Sequence, residues 1–176
     1  MNTPHAADGD SGGAVADTID RFSDLVGRAI AWLTLGSVLL CFAVVVLRYA
    51  FDMGFIWMQE LYVWFHAIVF TGCAGYALKH DKHVRVDVFY ARMSLRTKAW
   101  VNLFGSVLMI LPWMAVTVWF SAPWVASSWA VHETSGTSDG MPGLYLLKAM
   151  LLVMSVLLTL QAIALAARSL HILRQR

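Results

Sequence analysis

Charged side chains are scarce in this sequence. Asp, Glu, Lys and Arg make up 14% of its 176 residues, whereas 59% of the residues are hydrophobic. Soluble domains are about a quarter charged and about half apolar. The composition therefore favours a membrane protein over a soluble domain. The formal net charge is only +2, and no run of Lys and Arg with interleaved aromatics lies outside the apolar segments. We therefore expect no nucleic-acid partner.

Cysteine is rare as well, since the chain has only Cys41 and Cys73, each inside an apolar run. This excludes a disulfide framework and the paired spacing of a zinc site. One tight group of possible metal ligands consists of His80, Asp81, His83 and Asp87. These residues share one short basic loop, so pairing among themselves or with nearby arginines is the simpler interpretation.

Catalytic patterns are also missing from the sequence. It has no evident nucleophile with a base beside it, no glycine-rich phosphate loop and no pair of acids. Such constellations are what general acid–base and nucleophilic catalysis require. We therefore expect no enzyme, and no metal or cofactor.

Long apolar runs are what the sequence does have. They cover residues 29–47, 57–78, 100–121 and 143–167. A helix needs about 20 apolar residues to cross a bilayer. Lipid offers backbone groups no hydrogen-bond partner, and the runs lack the alternation of strands, so helices are the expected state. The sequence therefore predicts an all-α integral membrane protein with four transmembrane helices.

The segments between the runs predict how the chain crosses the membrane. Residues 1–28 are largely small, polar and acidic, and we expect a disordered segment leading into the first helix. Lys and Arg are concentrated in loop 79–99, which includes an interfacial segment, and recur in tail 168–176. Loop 122–142 has neither residue and is predicted to be periplasmic. The positive-inside rule then predicts that loop 79–99 and both termini, including tail 168–176, lie in the cytoplasm.

Glu60, near the start of the second run, is the most informative single residue. A carboxylate in a membrane span usually faces protein or a water-filled cavity and is a functional candidate by default. Two interpretations stay open. Glu60 contacts a partner at the outer surface, or it is an interface-level carboxylate paired with a residue such as Arg48.

His66 lies well inside the second run and raises an alternative function. Small membrane cytochromes hold haem between histidines on facing helices. The other three runs offer no deep histidine. A hydrogen bond from His66 to a neighbouring helix or subunit is therefore the simpler interpretation. The alternative is a haem-bearing membrane anchor subunit of a respiratory enzyme.

Several motifs follow one another in a definite order. They are Arg48-Tyr49, then Trp57 and Glu60, the small residues Gly72 and Ala74, the stretch from His83 to Asp87, then Ser135, Gly140, Pro142 and Gln161. In this order they resemble the small membrane subunit, the DctQ component, of tripartite ATP-independent periplasmic (TRAP) transporters. Gln59 departs from the family pattern, which has an acid at that position.

The resemblance implies a function in a bacterial inner membrane. It implies a periplasmic substrate-binding protein that delivers an organic acid, such as a dicarboxylate, to a large membrane subunit. The large subunit would use the sodium gradient to move this substrate, and the small subunit would brace it and contribute to docking of the binding protein. The implied partners are these two proteins and membrane lipid.

Three groups of candidate residues follow from the resemblance and from residue chemistry. The periplasmic docking or interface group is Arg48, Trp57, Gln59 and Glu60. The group expected to fix the cytoplasmic turn is His83, Arg85 and Asp87. The helix-packing group is Gly72, Ala74 and Gly75, whose small side chains permit close helix approach.

Overall fold

The computed structural model of the protein describes residues 13–80, 90 and 92–174. Across these residues the chain forms helices and short connections, without a strand. The helices are α1 (Gly13–Ala50), α2 (Ile56–Gly72), α3 (Ala74–Lys79), α4 (Leu95–Phe104), α5 (Leu111–Ala130) and α6 (Leu144–Arg174). A π-helical segment, Gly105–Ile110, joins α4 to α5.

Four helical stretches are long and apolar enough to cross a membrane. They are Ala16–Ala50, Ile56–Lys79, Leu95–Ala130 and Leu144–Arg174. Each corresponds to one of the apolar runs of the sequence. The prediction of an all-α chain is therefore confirmed for the part of the chain that the structure describes, and four of its helical stretches have the length and composition that a membrane span needs.

The first helix begins well before the first apolar run. Residues 1–28 were expected to be disordered, but α1 is helical from Gly13 onwards, and residues 1–12 lie outside the described part. The structure thus corrects the prediction for residues 13–28. Ala16, Ser23 and Gly27 are buried on one face of this segment. Composition identifies the segment as polar, whereas the spacing of these small residues is that of a helix with one buried face.

The last helix, α6, is the centre of the bundle and contacts each of the other helices. Its most buried residues are small or neutral: Ser155, Gln161, Ala162 and Ala164. Lipid tails remove the hydrophobic driving force between membrane helices, so close packing and hydrogen bonds must hold them together. The Ser155 hydroxyl donates to the carbonyl of Leu151 at 2.9 Å, so this buried polar group is satisfied within its own helix.

The third span changes its helical register near its middle. The π-helical segment ends where α5 begins, beside Pro112 in the first turn of α5. Proline has no N–H to donate to the preceding turn, so a break in the regular bonding is expected there.

Glycines bring α1 and α6 against the second span. A Cβ atom at Gly27 would lie 2.5 Å from the ring of Tyr76. One at Gly72 would overlap Ile30, and one at Gly75 would lie 3.2 Å from the backbone oxygen of Leu157. These distances leave no room for a larger side chain without movement of a neighbour.

Ala74, the third residue of the helix-packing group, lies against a small apolar cluster. This cluster consists of Leu78, Met114 and Leu158, which join the second span to α5 and α6. The packing role of the whole group is a proposal that the glycine contacts support.

The contact of Gly27 with Tyr76 gives a stability prediction. Gly27→Ala should lower the free energy of unfolding by about 1–3 kcal/mol, because the new methyl group meets the base of the Tyr76 side chain. The matched control is Gly105→Ala, whose new Cβ would have nothing within 4 Å. Thermal unfolding in detergent should show a lower Tm for the first variant only. Equal Tm values for the two variants would contradict the close contact.

Candidate functional site

Glu60, near the start of α2, holds the loop between α5 and α6, loop 131–143. The hydroxyl groups of Ser135 and Thr137 donate to Oε1, the latter at 3.2 Å. The backbone N–H of Met141 donates to Oε2 at 2.6 Å. Both carboxylate oxygens are therefore used, and the loop is tied to the second span by charge-assisted hydrogen bonds.

Loop 131–143 also closes on itself. The N–H of Ser135 donates to the carbonyl of Met141, and the N–H of Gly140 donates to that of Thr137, each at 3.2 Å. Gly143 has φ +88°, a left-handed conformation that favours glycine. The Ser135 and Gly140 motif recognised in the sequence thus lies where the loop folds against Glu60.

A second carboxylate, Glu133, fastens the same loop to its flanking helices. Its Oε2 atom accepts hydrogen bonds from Ser128 of α5 and from the Lys148 ammonium of α6, each at 2.5 Å. Lys148 also lies over the Trp124 ring, 4.4 Å from its centroid. The hydrogen bond from Lys148, followed by that from Ser128, holds the pKa of Glu133 below its ordinary value of 4.5.

The docking candidates of the sequence lie at this end of the molecule, which we call the Glu60 end. Arg48 is exposed in the last turn of α1, and Trp57 is exposed at the start of α2. Gln59 and Glu60 line a cavity of about 440 Å³ between α2 and the start of α6. Of the two interpretations of Glu60, the pairing with Arg48 is replaced by a pairing with loop 131–143.

The opposite end, the Asp20 end, is closed by a second polar network. Asp20 accepts a hydrogen bond from Arg168 at 2.7 Å and one from the Gln161 amide at 3.0 Å. The hydroxyl of Ser23 donates to the amide oxygen of Gln161 at 3.1 Å. Gln161 is fully buried, so these bonds satisfy a side chain that water does not reach.

Asp24 extends this network from α1 to the end of α3. The ammonium of Lys79 lies 2.6 Å from Oδ2 of Asp24 and donates to the backbone carbonyl of Asp20 at 3.1 Å. His80 lies 3.0 Å from Oδ1 of the same carboxylate and its ring lies beside that of Tyr76. The extended N-terminal part of α1 is thereby held against the second and fourth spans.

The cytoplasmic-turn candidates His83, Arg85 and Asp87 lie outside the described residues, so their role stays a prediction. Sequence reasoning missed Asp20 and Asp24, because their segment was interpreted as disordered. A signal was present in the spacing of Asp17, Asp20 and Asp24, which places them near one another on a helix.

At both ends, hydrogen bonds to carboxylates hold neighbouring helices together. Carboxylates accept hydrogen bonds from hydroxyl, amide, ammonium and guanidinium groups, which leaves them committed to protein partners. Within residues 13–80, 90 and 92–174, no three His, Cys, Asp or Glu side chains converge to hold a metal ion. His66 is exposed on α2, and the ring of His132, in loop 131–143, meets the ring of Tyr145 of α6 edge-to-face.

These features define a class of protein: a polytopic helical membrane protein whose helices are fastened by polar networks at both ends. A family model described as the DctQ component of tripartite ATP-independent periplasmic transporters matches residues 37–171. The chain belongs to this family, so it is a transporter component, as the ordered motifs predicted. The match gives no support to the haem-anchor alternative. Neither a curated protein nor a solved structure gives a significant match to the chain.

The Asp20 network gives a second stability prediction. Asp20→Ala should cost about 1–3 kcal/mol of folding free energy, because it deprives the buried Gln161 amide of its acceptor. Asp17→Ala removes an exposed carboxylate from the same helix and serves as the control. Chemical or thermal unfolding in detergent should separate the two variants. An equal loss of folding free energy in the two variants would mean that the negative charge on α1, and not the Asp20 network, stabilises the fold.

Glu133 makes stability depend on pH in a defined direction. Because its folded pKa lies below the unfolded value of 4.5, its contribution is complete above about pH 4.5 and is lost as pH falls through the folded pKa. The Tm difference between the wild type and Glu133→Gln should therefore narrow as pH falls below about 4.5. A difference that stays constant down to pH 3 would show that ionised Glu133 contributes nothing.

Proposed function

We propose that this chain is the scaffold subunit of a secondary transporter driven by the sodium gradient. The transporter imports an organic acid, such as a dicarboxylate, that a periplasmic substrate-binding protein delivers. The small subunit braces the large membrane subunit and forms part of the docking surface. The family match over residues 37–171 carries this proposal.

The distribution of charge supports an accessory role. Between the two ends, residues 29–47, 61–78, 99–132 and 149–167 contain no Asp, Glu, Lys or Arg. A transporter that binds its substrate usually has polar groups and broken helices near the membrane midplane. The sodium ion and the carboxylate substrate therefore belong to the large subunit.

The positive-inside rule supports an orientation in the bacterial inner membrane. Basic residues flank the Asp20 end: Lys79, Arg92, Arg96, Lys98, Arg168 and Arg174. Among the residues that the structure describes, Arg48 and Lys148 are the only basic residues that flank the Glu60 end. This asymmetry favours a cytoplasmic Asp20 end with both termini inside, and a periplasmic Glu60 end. His83, Arg85 and Asp87 would then fix the cytoplasmic turn beside the large subunit.

Docking of the binding protein fits the Glu60 end. Loop 131–143 is held in one shape by Glu60, and beside it Trp57 is exposed. A preformed loop with an exposed aromatic side chain loses little conformational freedom when a partner binds. Arg48, Trp57, Gln59 and Glu60 are therefore proposed to shape the docking surface or to support it.

Reconstitution tests the proposed function. The purified membrane complex, with and without this chain, would be placed in liposomes with the binding protein and radiolabelled organic acids. We expect uptake that needs this chain and an inward sodium gradient and that needs no ATP. Uptake of equal rate without the chain, or without the gradient, would contradict the proposal. A Soret band in the purified protein would favour the haem alternative.

Glu60→Gln gives a sharper prediction. Glutamine keeps one acceptor oxygen but presents an NH₂ group in place of the other, so the loop loses a charge-assisted hydrogen bond. We expect uptake at low binding-protein concentration to fall about tenfold, as for the loss of roughly 1.5 kcal/mol. The amount of large subunit that co-purifies should not change.

The control for this variant is Asp52→Asn, which removes an exposed carboxylate between α1 and α2, at the same end. Asp52 is distant in sequence from loop 131–143 and forms none of the hydrogen bonds that hold it. Its substitution should leave uptake within about twofold of the wild type, the usual range for an exposed site. Equal losses in both variants would attribute the effect to net charge and would contradict the role of the loop.

A further inference from the structure

One face of α2 is left uncovered by the rest of the chain. Along it lie the exposed residues Ile56, Val63, His66 and Phe70, together with the partly buried Gln59. Val63 is 47% exposed and Phe70 is 70% exposed, and His66 between them is exposed as well. The spacing alternates between three and four residues, which is the pattern of a seam that packs against another helix. We call these five residues the α2 stripe.

His66 is the unusual member of the α2 stripe, because of its depth. At 1.5 Å per residue it lies about 15 Å along the axis from Ile56 and about 20 Å from Lys79. It is therefore close to the middle of a hydrocarbon layer about 30 Å thick. Polar side chains at this depth face protein or a water-filled cavity and have hydrogen-bond partners. No such partner of His66 lies within the part of the chain that the structure describes.

The α2 stripe continues into a groove at the Glu60 end. Gln59 and Val63 line the cavity of about 440 Å³ that α2 forms with Leu144 and Leu147 of α6. The groove therefore runs from the loop held by Glu60 towards His66. It contains two side chains that form hydrogen bonds, Gln59 and His66, which are seven residues apart on one helix face.

The other uncovered faces differ in composition. On α1, residues 29–47 expose Trp32, Leu39 and Phe42, and on α5 the chain exposes Trp119 and Phe120. Neither residues 29–47 nor residues 111–130 contain a charged, histidine or amide side chain. Such faces are compatible with lipid. The α2 stripe is not, because the hydrocarbon of a bilayer offers the His66 imidazole no hydrogen-bond partner.

We propose that the α2 stripe is where a transmembrane helix of the large subunit packs, with a hydrogen-bonding side chain of that helix opposite His66. This inference rests on the proposed function, which supplies a polytopic partner, and it adds the surface and the chemistry of the contact. The helical spacing, the groove and the midplane imidazole all fit a helix as the occupant. Neither a lipid nor a soluble protein would account for all three features.

Site-specific photocrosslinking tests the location in the intact membrane complex. A benzophenone amino acid would replace Val63 or Phe70, and Phe120 in a control. Phe120 is 73% exposed and so matches Phe70 in exposure. We expect an adduct with the large subunit from positions 63 and 70 and none from position 120. Adducts between two copies of this chain, or from position 120 alone, would overturn the proposal.

The crosslinking experiment separates the two levels of the proposal. If the large subunit co-purifies but positions 63 and 70 give no adduct with it, the proposed function stands and the α2 stripe is wrong. If no polytopic partner co-purifies with the unsubstituted chain, the proposed function itself fails.

His66→Leu tests the chemistry of the contact. Leucine is well tolerated at a site exposed to lipid, so the Tm of the isolated subunit should not fall. The amount of large subunit recovered per tagged chain should fall about threefold to tenfold, which corresponds to the loss of one interhelical hydrogen bond. His66→Gln keeps a hydrogen-bonding group and should restore most of the recovery. Full recovery with His66→Leu would overturn the role of His66.

Discussion

The buried amide of Gln161 is the constraint on which the bundle depends. Its side chain has no access to solvent, so its donor and acceptor need protein partners, and Ser23 and Asp20 of α1 supply them. Lipid gives apolar helices no reason to associate, so this contact holds the long first helix against the central last helix. Lys79, His80 and Arg168 complete the network at the same end.

The Glu60 end is also held together by hydrogen bonds between polar side chains, but different residues form them. Glu60 and Glu133 fasten loop 131–143 to α2, α5 and α6 through hydroxyl, amide and ammonium donors. Movement of one helix past another would have to break charged hydrogen bonds at both ends, and residues 29–47, 61–78, 99–132 and 149–167 between the ends contain no Asp, Glu, Lys or Arg. A bundle of this kind suits a static component of a transporter better than its moving part.

Sequence alone predicted the four spans, because a run of about 20 apolar residues is typical of a transmembrane helix. The ordered motifs also predicted the family. Glu60 stood out as a carboxylate near a span, but its partners could not be derived, because Ser135 and Met141 come from a loop some 75 residues away whose turn is set by tertiary contacts. Asp20 was missed for a different reason. The composition of its segment suggested disorder, whereas hydrogen bonds from Gln161 and Arg168 to Asp20 hold the segment in place as a helix.

The central claim is that the subunit keeps one shape while the transporter works. Spin labels at Arg21 and Asp139, which are exposed at opposite ends, would measure this by pulsed electron resonance in a variant whose two cysteines are replaced by alanine. In the reconstituted complex, the account predicts one narrow distance distribution that does not change when sodium and substrate-loaded binding protein are added. A second distance, or a shift of several ångströms on loading, would contradict it.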